Sequence, residues 1–79
     1  MSIAKELVAE LNLLMQFDLS TTQAGIKVHS DADAENIAAI ERLHEKGLVS
    51  QVDGGYLTGL GHDAAEHIQS AIGILKRKS

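Results

Sequence analysis

The stretch from Leu43 to Gly61 constrains the fold more than any other part of this 79-residue chain. An apolar-striped segment beginning at about residue 32 runs to Lys46-Gly47, and a glycine just past the last periodic residue is where a helix stops in a left-handed turn. Leu48 to Val52 and Gly55 to Thr58 flank Asp53-Gly54, a pair whose tolerance of positive φ marks a two-residue hairpin turn. Thr58 is placed to cap the helix that follows, and Gly61 lets that helix approach the sheet closely. Helix, hairpin and helix therefore follow one another without a linker. A chain this short has to fold the rest of itself around them as a single domain, 1–79.

The flanking segments supply the other elements. Ser2 is placed to cap a first helix to about Phe17, with Ile3, Ala4, Leu7, Val8, Leu11, Leu14 and Met15 on its apolar face and Leu13 and Phe17 widening that face. Ser20-Thr21-Thr22-Gln23 has the form of a capping box, but Gly25 arrives within two turns, so any helix there is short. Ile26-Lys27-Val28-His29 alternates apolar and polar side chains and predicts a short strand exposed on one side. Ser30, Asp31 and Asp33 supply caps and N-terminal acids for a helix over 32–46, whose buried stripe is Ile37, Ile40 and Leu43. The last helix runs from Thr58 to about Lys76, with Leu60, Ala64, Ile68, Ile72 and Leu75 recurring on one side. The expected fold class is α+β and mainly helical: helix, short helix, short strand, helix, hairpin and a long C-terminal helix.

Composition narrows the class further. A hydrophobic share of 44% and a charged share of 23% are those of an ordinary globular domain. The chain has no cysteine, which removes disulfides and thiolate metal sites and fits a reducing cytosol. No apolar run approaches a membrane span, and the first residues are soon interrupted by charge, unlike a secretory signal. The expectation is a cytoplasmic protein without a membrane segment.

The order of elements is that of a winged helix, in which a hairpin wing follows a recognition helix. The run Leu43-His44-Glu45-Lys46-Gly47-Leu48-Val49, then Asp53-Gly54-Gly55-Tyr56-Leu57-Thr58, then Gly61 resembles the LxxKGLV, wing, YxLTxxG pattern of many winged-helix regulators of the PadR and MarR kind. The whole chain is also similar to a family of small, uncharacterised bacterial proteins of about this length. Glu10-Leu11-Asn12-Leu13-Leu14, Gln16-Phe17-Asp18-Leu19-Ser20, Gly25-Ile26-Lys27-Val28-His29 and Arg42 to Thr58 carry that similarity. Members bear labels as DNA-binding, transcription-related or inhibitory proteins, so the resemblance implies a regulatory binding role and assigns no site residue.

Charge argues against the DNA-reading version of that role. Eleven acids against seven bases give a net charge of −4, and three of the bases are Lys76, Arg77 and Lys78 at the C-terminus. Residues 1–75 keep four bases against all eleven acids, a balance of −7. Proteins that grip a polyanion show the opposite balance, because their affinity comes from neutralising phosphates. The helix over 32–46 opens with Asp31, Asp33 and Glu35, where a recognition helix approaches base edges, and the wing offers Ser50, Gln51 and Asp53. Candidate nucleic-acid contacts reduce to Lys27, Arg42, Lys46, Lys76, Arg77 and Lys78, and the competing reading for Arg42 and Lys46 is pairing with neighbouring acids such as Glu41 and Glu45. The favoured expectation is a non-enzymatic module acting mainly through protein–protein contacts. The alternative is a DNA-binding regulator whose dimer gathers those bases on one side. A homodimer is expected, with a candidate seam of Leu13, Met15, Phe17, Ile68, Ile72, Ile74 and Leu75.

Metal and catalytic readings find little support. His62 and His67 are five apart, about 140° around a helix, where ligand pairs want i,i+4. Asp63 with His67 lacks a third ligand fixed by sequence and reads as a helix ion pair, while His29 with Asp31 and Asp33 makes only a loose oxygen–nitrogen cluster beside the capping residues Ser30 to Asp33. There is no glycine-rich phosphate loop, nucleophile elbow or HExxH pattern. No catalytic residue, metal or cofactor is expected.

Overall fold

A computed structural model describes residues 2–21 and 23–77. The elements are α1 (Lys5–Leu14), β1 (Ile26–Lys27), α2 (Ala34–Glu45), β2 (Val49–Gln51), β3 (Gly54–Leu57) and α3 (Gly59–Leu75). The strands form one antiparallel sheet in the order β1-β3-β2. The chain is thus α+β, with three helices and a small three-stranded sheet. Among the described residues no helix is long and apolar enough to cross a membrane.

The joint between α2 and α3 forms as its residues require. Gly47, at φ 81°, sends its N–H to the carbonyl of His44, and Leu48 sends its own to Leu43, which closes the helix with two nested bonds. The Thr58 hydroxyl accepts from Gly61 N–H at 3.0 Å and donates to the Gly47 carbonyl at 2.6 Å, so one side chain caps α3 and ties its start to the end of α2. Gly61 lies against the Leu48 carbonyl, where a β-carbon would collide.

Four expectations are corrected. First, neither α1 nor α2 has the expected side-chain cap: α1 starts at Lys5 with Ala4 in the cap position, so Ser2 does not serve that role, and Asp33, in the cap position of α2, makes no side-chain cap bond. Second, the segment before β1 holds turns, and among its described residues there is no short helix. Asp18 Oδ1 accepts from the N–H and hydroxyl of Ser20, and Thr21 Oγ1 accepts from Gln23 N–H. These local side-chain bonds take the place of a helical start. Third, the hairpin turn is Val52-Asp53, one residue earlier than expected. Gly54, at φ 131°, already belongs to β3, facing Gln51 on one side and Lys27 on the other. The register then slips between Val49 and Gln51, where Tyr56 N–H donates to Ser50 Oγ at 2.9 Å. Fourth, the apolar faces of the outer helices are rotated or truncated. Leu13 and Phe17, expected at the margin of α1, lie in the core, while Ile3, Leu7 and Val8 are exposed. On α3 the stripe is half-buried through its middle, at Ala64, Ile68 and Ile72, Leu60 and Leu75 at its ends are exposed, and the buried residues are Gly61 and Ala65 beside it.

The core is Ala9, Leu13, Leu14 and Phe17 from α1 and the turn after it, Ala39, Ile40 and Leu43 from α2, Val49 from β2 and Ala65 from α3. Alanines with no exposed surface on α2 and α3 let the backbones come close. Two glycines of α3 therefore predict opposite outcomes. Gly61→Ala collides with the Leu48 carbonyl and should cost about 2 kcal/mol or more. Gly73→Ala faces open space and should stabilise the fold by up to about 1 kcal/mol. Urea unfolding of the two variants checks the pair, and shifts of the same sign would contradict this packing.

Candidate interaction surface

Glu10 sits in the middle of the α1 face that packs on α2, at i−3, i−4 and i−7 from Leu13, Leu14 and Phe17. Only 4% of its surface is exposed, and it is the buried charged residue of the core region. Two bases one turn apart on α2 converge on it. Arg42 Nε donates to Oε2 at 3.0 Å, and Lys46 Nζ meets Oε1 in a short hydrogen-bonded ion pair. Arg42 Nη2 also donates to the Glu6 carbonyl at 3.0 Å, so the guanidinium spans two turns of α1. Burial works to raise the Glu10 pKa, but the hydrogen bonds and charges of Lys46 and Arg42 outweigh it and hold the carboxyl below its ordinary value.

This arrangement decides what α2 presents outward. The partner of Arg42 and Lys46 is neither Glu41 nor Glu45 of their own helix but a buried acid of another. Their charges are used inside the domain, and the acids of α2 are left without basic partners among the described residues. Asp31, Asp33, Glu35, Glu41 and Glu45 are all exposed. Beside them a groove of about 380 Å³ runs between α2, the end of β1 and the hairpin turn. Val28, Ile37 and Ile40 contribute apolar lining, and Lys27, His29, Glu41 and Asp53 contribute polar groups. Val28 N–H donates to the Asp53 carbonyl at 2.8 Å, which fastens the turn to β1 at one wall of the groove.

The structure scatters the other candidate contacts. Lys27 is on β1 at the groove, while Lys76 and Arg77 follow α3. Lys78 lies outside the described residues. The candidate seam is divided as well. Leu13 and Phe17 are core residues with no surface to offer a second copy, Met15, Ile68 and Ile72 are half-buried, and Ile74 and Leu75 are exposed. His67 Nδ1 bonds the carbonyl oxygen of Asp63 at 2.6 Å, so the expected side-chain pair between these two residues does not form. His62 pairs with Glu66 at 3.3 Å, and with Asp63 these form an exposed cluster of donors on the first turns of α3. Sequence reasoning passed over Gln69, whose amide donates to the carbonyls of Leu14 at 3.1 Å and Phe17 at 2.9 Å and so satisfies the end of α1. It also passed over Glu10. The signal was a lone acid spaced at helical intervals from three large apolar residues, with two bases four apart on another helix.

These features define a small α+β domain with an acidic helix face. The chain belongs to a family of unknown function, DUF5669, whose model matches residues 1–76. No curated protein and no solved structure matches it.

Glu10→Gln should lower stability at neutral pH by about 1–3 kcal/mol, since two cations lose their charged partner while remaining partly exposed. Because the folded-state pKa of Glu10 is depressed, its contribution is complete above the ordinary glutamate value of about 4.3 and fades as pH falls through the lower folded value. Unfolding curves of wild type and Glu10→Gln should therefore converge in acid. A constant difference down to the acid limit would contradict the ion-pair account.

Proposed function

We propose that this chain is a non-enzymatic, winged-helix-like binding module that acts in a regulatory, transcription-associated role through protein–protein contact, in a reducing compartment such as the cytosol. The architecture supports the scaffold reading: a helix, a short strand, a second helix, a hairpin that follows it at once, and a long closing helix. The region between α1 and β1 departs from that pattern, with turns in place of a helix among its described residues.

One observation carries the choice of partner. Glu10 engages Arg42 and Lys46, the two bases of the helix that a nucleic-acid reader would place against phosphates. What α2 offers outward is a row of carboxylates beside an apolar-lined groove. Such a surface suits a basic protein segment, whose lysines or arginines meet Glu41, Asp53 and neighbouring acids while an apolar side chain enters between Ile37 and Ile40. Phosphate would be repelled from the same place.

Titration of isotope-labelled protein at low salt with two probes, an arginine-rich peptide containing one leucine and a random-sequence DNA duplex, tests this reading. The peptide should shift backbone resonances around Ile37, Glu41 and Asp53, and Glu41→Lys should weaken that effect by about tenfold. The duplex should leave the same resonances unmoved. Duplex binding that weakens steeply with salt and is lost in Arg42→Gln would overturn the proposal in favour of direct DNA contact.

A further inference from the structure

α3 carries a second stripe that the monomer covers only in part, at Ala64, which packs against the core. Leu60, Ala64, His67, Ala71 and Ile74 recur at spacings of four, three, four and three, the repeat that keeps two helices in register over several turns. Leu60 and Ile74 are each 60% exposed, His67 and Ala71 are exposed, and Ala64 is half-buried. Leu75, 78% exposed, flanks the stripe. This side is distinct from the one that buries Gly61 and Ala65 against the rest of the domain.

Charge along α3 is polarised. Asp63 and Glu66 lie in its first half, and Lys76 and Arg77 follow its last turn. Among the described residues Asp63, Lys76 and Arg77 form no ion pair, and Glu66 meets only His62. Acids in the first half and bases just past the end make the helix complementary to a reversed copy of itself.

We propose that a second copy of this chain covers the stripe, α3 packing antiparallel on α3 about a two-fold axis at Ser70. Asp63 and Arg77 lie seven residues either side of Ser70, so each meets the other across the axis, and symmetry repeats the pair. The same axis sets Ile74 of one copy between Ala64 and His67 of the other, and His67 between Ala71 and Ile74, where the small alanine side chains allow close approach. The pairing is independent of what the acidic face of α2 binds. It draws Arg77 into the assembly, which removes a further base from any phosphate. Ile3, just before α1, and Leu7 and Val8 on it are exposed and form a competing apolar surface without this repeat or this charge pattern.

Sedimentation equilibrium of the whole protein at low salt, over a concentration series, tests the seam, with circular dichroism to establish that each surface variant is folded. Wild type should show a monomer–dimer equilibrium. Arg77→Glu and Asp63→Arg should each weaken it by about tenfold, the double variant should recover to within about threefold of wild type, and Ile74→Glu should give monomer. The proposal is overturned by a wild type that stays monomeric at every concentration. It is equally overturned by a double variant no better than either single one, or by a dimer that survives Ile74→Glu but not Val8→Glu.

Discussion

A single buried carboxylate organises the surface of this domain. Glu10 lies in the α1–α2 interface with almost no access to water, and an unpaired charge there would be expensive. Arg42 and Lys46 make the burial tolerable by reaching across from α2. The consequence appears on the other side of the helix. A helix that spends its bases on its neighbour keeps its acids for solvent, so an internal electrostatic requirement sets the sign of the exposed face. The same ion pairs fix the α1–α2 register, since Nε and Nη2 of Arg42 hold groups on two successive turns of α1.

The second organising contact is the Thr58 hydroxyl. It joins the end of α2 to the start of α3 by hydrogen bonds at both ends, and Gly61 lets α3 settle against Leu48 beside it. Hairpin, stop signal and cap therefore form one unit, with the sheet held between two helix termini. Gln69 closes the frame from the opposite direction by donating to the last carbonyl of α1, that of Leu14, and to that of Phe17 in the turn beyond it. The acidic face and the groove beside it rest on these three junctions, because α2 is positioned by α1 through Glu10 and by α3 through Thr58.

Sequence made the Leu43–Gly61 joint legible because each signal there is local: a glycine at a positive φ, a turn, a threonine cap. The turn lies one residue earlier than Asp53-Gly54 suggests because Gly54 and Gly55 both have positive φ, and strand pairing decides which side of the turn each joins. The phase of α1 was harder to read. Its apolar residues cover so much of the circumference that periodicity alone favours the Leu7–Val8–Met15 side, whereas the tertiary contacts select Ala9, Leu13 and Phe17. The capping-box pattern at Ser20 misled because serine and threonine serve turns as readily as helix starts. The excess of acid over base was visible at once. That Arg42 and Lys46 share one buried partner was not, since 32 and 36 residues of sequence separate them from it.

The sign of the exposed α2 face depends most directly on the protonation of Glu10. A carbon-13 NMR titration of its side-chain carboxyl in the folded protein should give a midpoint below that of an ordinary glutamate, with the Lys46 side-chain signals moving through the same transition. A midpoint at or above the ordinary value, with Lys46 unresponsive, would mean that the two bases of α2 are free. Its exposed face would then not carry the sign assigned to it.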